Sequence, residues 1–128
     1  MLNIDIKTID HKKQRYETVG DWWWEGDKLV MRISDMKNWK YEFLVAVHEF
    51  IEAFLCRHSG IDGRDVDKFD IQFEKDRKKF KWGNELEPGN DPKAPYYFQH
   101  NIATGVERIL ATILGVNWDE YDKTVMNL

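Results

Sequence analysis

Four histidines and a surplus of acids are the chemistry-bearing residues of this 128-residue chain, and their spacing is more informative than their number. His48 and Glu52 are four residues apart, so on a helix they stand one turn apart on one face and can hold one ion together. Glu49 lies between them, within reach of a water bound to such an ion. Further on, Asp67, Asp70 and Glu74 follow at i, i+3 and i+7, and His100 and Glu107 are seven apart. Both spacings keep side chains on one side of a helix. Imidazole with carboxylate suits a divalent metal, and carboxylates alone suit Mg²⁺.

The elements that must position these groups are legible from periodicity. Leu2, Ile4 and Ile6 alternate with polar residues as in a half-buried strand. Arg15 to Trp24 and Lys28 to Ile33 read as two more strands around a Glu25-Gly26-Asp27 turn, with Leu29, Met31 and Ile33 on one face. Asn38 is a helix cap for Trp39 to about His58, which Gly60 ends. Asp62 caps a second helix to about Phe80, and a third runs from about Tyr96 to Leu114. Asn117-Trp118-Asp119-Glu120 opens a short last helix. The expected fold is α+β in one domain: a small antiparallel sheet over residues 1–35, then three main helices and a short fourth over 36–128.

Turning each helix by about 100° per residue gives the expected buried stripes. They are Phe43, Val47, Phe50, Ile51 and Phe54 on the first, Val66, Phe69, Phe73 and Phe80 on the second, and Ile102, Val106, Ile109, Leu110 and Ile113 on the third. His48 with Glu52, then Asp67 with Asp70 and Glu74, then His100 with Glu107 fall along the borders of these stripes. If the borders meet, they form a metal pocket at the rim of the core. His58 falls within the first stripe as a buried histidine, and Cys56 points to the opposite side, so a Cys–His nucleophile is not expected. His11 reads as exposed turn, and Trp22, Trp23 and Trp24 mostly as core packing. The long segment from Gly83 to Pro95 is an irregular loop of the kind that forms lids and substrate walls. The Lys75, Arg77, Lys78, Lys79 and Lys81 run complements the end of the second helix and can pair with Asp70 and Glu74.

Composition sets the outer limits. With 19 Lys and Arg against 23 Asp and Glu, the net charge is −4, which argues against non-specific nucleic-acid binding. A 42% hydrophobic, 14% aromatic chain with six Trp folds. No apolar run is long enough for a membrane span, the start lacks the form of a secretory signal, and one cysteine forms no internal disulfide. A cytoplasmic protein is expected. Oligomeric state and substrate are not readable.

Three resemblances add to this. His48-Glu49-Phe50-Ile51-Glu52 resembles the H-E-x-x-H helix of zincin metalloproteases, with Glu52 where that family has its second His. It implies Zn²⁺ on His48 and Glu52; His100, which begins the third helix on the border side beside the Pro-rich loop, is the best third ligand, with Asp67 or Asp70 as the alternative. Glu49 would deprotonate the ion-bound water for attack on an ester, amide or phosphoryl centre. Glu107 would orient His100, and Glu74 would support the acidic border. The segment Glu85 to Pro95 would form a lid or wall.

Glu49-x-x-Glu52 with Asp67-x-x-Asp70 also resembles the E-x-x-E…E-x-x-D signature of MazG-like nucleotide pyrophosphatases, with Asp67 in place of a Glu. That implies Mg²⁺ or Mn²⁺ and a nucleoside triphosphate. The whole chain is similar to uncharacterised proteins encoded in phage and prophage regions. The resemblance rests on Tyr16 to Trp23, the His48 segment, Val66 to Asp70 and Glu87 to Pro92. It implies a phage context with no assigned activity, which leaves a non-enzymatic interaction module as a third reading.

Overall fold

In the computed structural model, which describes all residues but 84 and 85, the order of elements is strands first and helices after. The strands are β1 (Asn3–Ile9), β2 (Gly20–Glu25) and β3 (Lys28–Ser34). The helices are α1 (Trp39–His58), α2 (Gly63–Phe80), α3 (Tyr97–Ile113) and α4 (Trp118–Met126), with short 3₁₀ turns at His11–Lys13 and Pro88–Asn90. The α+β class is as expected.

The sheet departs from expectation in one respect. β2 and β3 form an antiparallel hairpin whose turn carries Gly26 at φ +62°, but β1 runs parallel to β3. The order is β1-β3-β2, so β3 is inserted between the two strands that precede it. The chain crosses between β1 and β2 through residues 10–19, which do not begin a strand at Arg15. Arg15 Nε and Nη2 donate to Asp21, and Thr18 Oγ1 donates to the Gly20 carbonyl. These local bonds hold the segment in a bend. Central β3 is the most buried strand, with Leu29, Val30, Met31 and Ile33 all within the core. On the outer β1 Ile6 is exposed, as is Leu2 just before the strand.

Helix boundaries follow the caps. The side chains of Asn38, Asp62 and Asn117 accept from backbone N–H groups of the first turns of α1, α2 and α4, satisfying donors that have no partner within the helix. Gly60 and Gly115 take positive φ just past α1 and α3.

The buried faces differ from the expected stripes. On α1 the inward residues are Leu44, Val45, His48, Glu52, Ala53 and Cys56. Phe43 and His58 are exposed, and Cys56 is fully buried rather than opposite the core. On α3 the inward residues are His100, Ala103, Glu107 and Ala111, while Ile102, Ile109 and Ile113 face outward. On α2, Val66 and Phe73 are buried as expected and Phe80 is exposed. Among the described residues, no helix is long and apolar enough to cross a membrane.

Candidate metal centre

α1 and α3 run antiparallel. Lys40 near the start of α1 donates to the Leu114 carbonyl just past α3, and Gln99 near the start of α3 donates to Ser59 after α1. Small Ala103 and Ala111 on the inward face of α3 leave room for α1, and the polar residues between the two helices meet. His48 Nε2, Glu52 Oε2 and His100 Nδ1 form a triangle with sides of 3.0, 3.1 and 3.2 Å. Two ligands of one tetrahedral Zn²⁺, each about 2.0–2.1 Å from the ion, stand ~3.3 Å apart. The three atoms are therefore spaced as one ion's ligands are. Among the described residues they are the group of His, Cys, Asp and Glu that could hold a metal.

The remaining polar atom of each side chain also faces a specific group. His48 Nδ1 lies 2.8 Å from Glu107 Oε1, and Glu107 Oε2 accepts from the Tyr121 hydroxyl at 2.6 Å. Glu52 Oε1 accepts from the Trp22 indole N–H at 3.0 Å. His100 Nε2 is 3.0 Å from Glu87 Oε2, an ion-pair distance without hydrogen-bond alignment. An imidazole flanked by a carboxylate on its far nitrogen is fixed in orientation and made a stronger donor. Glu107 serves His48 here, not His100 as expected, and Glu87 takes the place beside His100. Sequence reasoning missed Glu87, Trp22 and Tyr121. Glu87 had a signal, because it adjoins Pro88-Gly89 in the long loop already singled out.

Two glycines make room for this arrangement. A Cβ on Gly89 would collide with the His100 ring, so the 3₁₀ turn can lie flat on the imidazole only with glycine there. A Cβ on Gly20 would fall 2.6 Å from Glu49 Cγ and 2.7 Å from its Oε1, so Glu49 rests against the start of β2. The loop is thus a wall of the site from Glu87 onward. Asn84 and Glu85, within the expected loop, lie outside the described residues.

The electrostatics follow from burial opposed by pairing. Burial alone would raise the Glu52 carboxyl, but His100 and His48 hold it at about 2. Burial opposes charge on His100 too, yet Glu52 and Glu87 lift it to about 9. Against the same opposition, Glu107 and Glu52 raise His48 well above its usual value. Glu49 rises well above the carboxylate range, first through burial and then through the nearby Glu52 charge. Without a metal, the cluster is a buried imidazolium–carboxylate network.

The α2 border sits on the same cavity, of about 330 Å³, but is held differently. Asp67 Oδ2 pairs with Arg15 at 3.1 Å. Asp70 accepts from the Tyr16 hydroxyl at 3.3 Å and from that of Tyr96. Burial pushes its carboxyl up to about 8 despite the Tyr96 bond. Glu74 pairs with Arg77 at 2.9 Å and supports none of the triangle's atoms. Neither Asp67 nor Asp70 joins the set of potential ligands. His58 is exposed at the end of α1. His11 is half-buried rather than exposed, bonded to Ser34 Oγ at 2.8 Å, and Trp22 is core as expected. Burial raises the Cys56 thiol to about 12, which leaves it an inert thiol at neutral pH. Compared with family models, with curated proteins and with solved structures, the chain finds no match.

Proposed function

We propose that this chain is a zinc-binding protein and a metal-dependent hydrolase of zincin-like logic. His48, Glu52 and His100 would hold the ion and Glu49 would act as the base. The observation that carries the reading is the convergence of three ligand atoms, each backed by a further group: Glu107 behind His48, Trp22 behind Glu52 and Glu87 behind His100. Two nitrogens and one carboxylate oxygen suit Zn²⁺ better than Mg²⁺, which takes oxygen ligands. A bound Zn²⁺ supplies Lewis acidity, lowering the pKa of water and polarising a carbonyl or phosphoryl oxygen.

The residues supply the rest. Glu49 follows a ligand on the same helix, lines the cavity and is pressed into place against Gly20. There its carboxylate can take a proton from water and return it to a leaving group. Trp22 and the turn at Gly89 exclude solvent from the ligands. The Mg²⁺ nucleotide reading is less well supported, because Asp67 and Asp70 are taken up by Arg15, Tyr16 and Tyr96. A cytoplasmic location and a phage context belong to the same proposal and add no activity to it.

The test is elemental analysis of protein purified without added metal, followed by hydrolase assays on ester, peptide and phosphoester substrates. About one zinc per chain is expected, lost in His48→Ala and His100→Ala. Glu49→Gln should keep the zinc and lose turnover by roughly 10²–10⁴-fold, as for removal of a general base. No zinc and no thermal shift with any divalent ion would end the reading.

A further inference from the structure

α3 is an amphipathic helix turned the wrong way round for an isolated chain. Its inward face carries two small alanines and two ionisable residues, His100, Ala103, Glu107 and Ala111. Its outward face carries Phe98, Ile102, Ile109 and Ile113, which are 75%, 56%, 62% and 74% exposed. At 100° per residue these four and Gly105 fall within about 80° of arc. Four large apolar side chains in one line on a solvent face are an apolar surface of roughly 400–500 Å², comparable to the largest patch of a typical monomer, which is often functional.

The spacing identifies the partner. Phe98 and Ile113, and likewise Ile102 and Ile109, are placed symmetrically about the Gly105–Val106 bond. A second α3 laid antiparallel about a two-fold axis at that point sets Phe98 against the other copy's Ile113 and Ile102 against its Ile109. This is the self-complementarity an isologous interface requires. Gly105 sits at the crossing point. Glycine in a helix interior is destabilising, and among the described residues nothing calls for it, since a Cβ there would meet open space. Its missing side chain lets a second helix come close. No acidic residue interrupts the seam, and Arg108, stacked 4.4 Å over Trp118, falls opposite Ala103 and not its own copy. With the flanking Asn101, Gly105 and Thr112, two such faces bury about 1,000 Å² together, about the least a biological interface needs and the size of a weak dimer.

We propose that the chain forms a two-fold homodimer through the outer face of α3, with the helices antiparallel and crossing at Gly105. The face lies opposite His100 and Glu107, so the dimer leaves the metal cavity open, and the proposal stands independently of the metal reading.

The test is sedimentation velocity of the full chain over micromolar to submillimolar concentrations. The native protein is expected at twice 15.3 kDa. Ile109→Glu and Ile102→Glu should run as monomers, with dimer association weakened ~100-fold or more by a charge in a desolvated seam. Because both positions face solvent in the single chain, circular dichroism and melting temperature of the monomers should match a native sample diluted to monomer. Gly105→Cys should form a disulfide-linked dimer on mild oxidation, while the native chain, with Cys56 buried, should not. A native chain that stays at 15.3 kDa throughout overturns the proposal, as does a dimer that survives Ile109→Glu or does not cross-link in Gly105→Cys. A monomer whose α3 face instead binds lipid vesicles also overturns it.

Discussion

The borders of α1 and α2 look alike as sequence and behave differently in the structure. Each sets acids beside a buried stripe at helical spacing. On α1, Glu52 faces an antiparallel helix that brings His100 within 3.1 Å, and among the described residues no Lys or Arg pairs with it. On α2, Asp67 and Glu74 each meet an arginine, and Asp70 sits between two tyrosine hydroxyls with its proton retained to about pH 8. Border acids thus join a buried cluster with the geometry of a metal centre where the facing element supplies imidazole. Where it supplies guanidinium or phenol, they become structural ties.

The contrast is most severely tested by Glu52→Ala. Removing the anion leaves two imidazoles facing each other in the interior and deletes a ligand. Zinc affinity should fall by more than ~10³-fold, and the metal-free protein should lose about 3–5 kcal/mol in denaturant unfolding, as when one partner of a buried ion cluster is removed. An α1 variant that unfolds like native protein would put its border in the same class as that of α2.

Glu107→Gln tests the support behind the ligands with a smaller effect. It keeps the volume and an acceptor for His48 Nδ1 but removes the charge. Zinc affinity measured by competition with a chelator should drop about 10–100-fold. The matching change on α2, Glu74→Gln, should leave affinity within error.

Asp70→Asn should have the smallest effect on zinc affinity, and its signature lies in the pH profile of stability. The folded carboxyl titrates near 8 against an ordinary value of 3.8, so the folded state binds the extra proton between those limits. Native stability should therefore decline as pH rises from about 4 to about 8 through this residue, and flatten above it. The variant, neutral throughout, should lose that part of the slope and keep its zinc. Urea unfolding at several pH values reads both. A variant that loses zinc would return Asp70 to the ligand set.

What the sequence revealed and concealed follows the range of the interactions. Asn38, Asp62 and Asn117 were readable as caps because each bonds a backbone N–H two or three residues away. His48, Glu52 and His100 were readable as one set because two of them share a turn. The third begins a helix on the border side. β1 was not readable as parallel, since nothing local records that β3 inserts between β1 and β2. The outward Ile102, Ile109 and Ile113 were misplaced for a physical reason. Periodicity assumes that the core is apolar, and between α1 and α3 it is an ionic network packed on alanines. Glu107 was assigned to the wrong imidazole because the residue opposite it depends on how the two helices are offset.

The central claim is that one ion belongs at His48, Glu52 and His100. A crystal of the full chain grown with zinc, measured on both sides of the zinc absorption edge, tests it directly. One anomalous peak about 2.0–2.1 Å from His48 Nε2, Glu52 Oε2 and His100 Nδ1 is the predicted result. A peak on Asp67 and Asp70 instead, or no peak between α1 and α3 at full zinc loading, would contradict it.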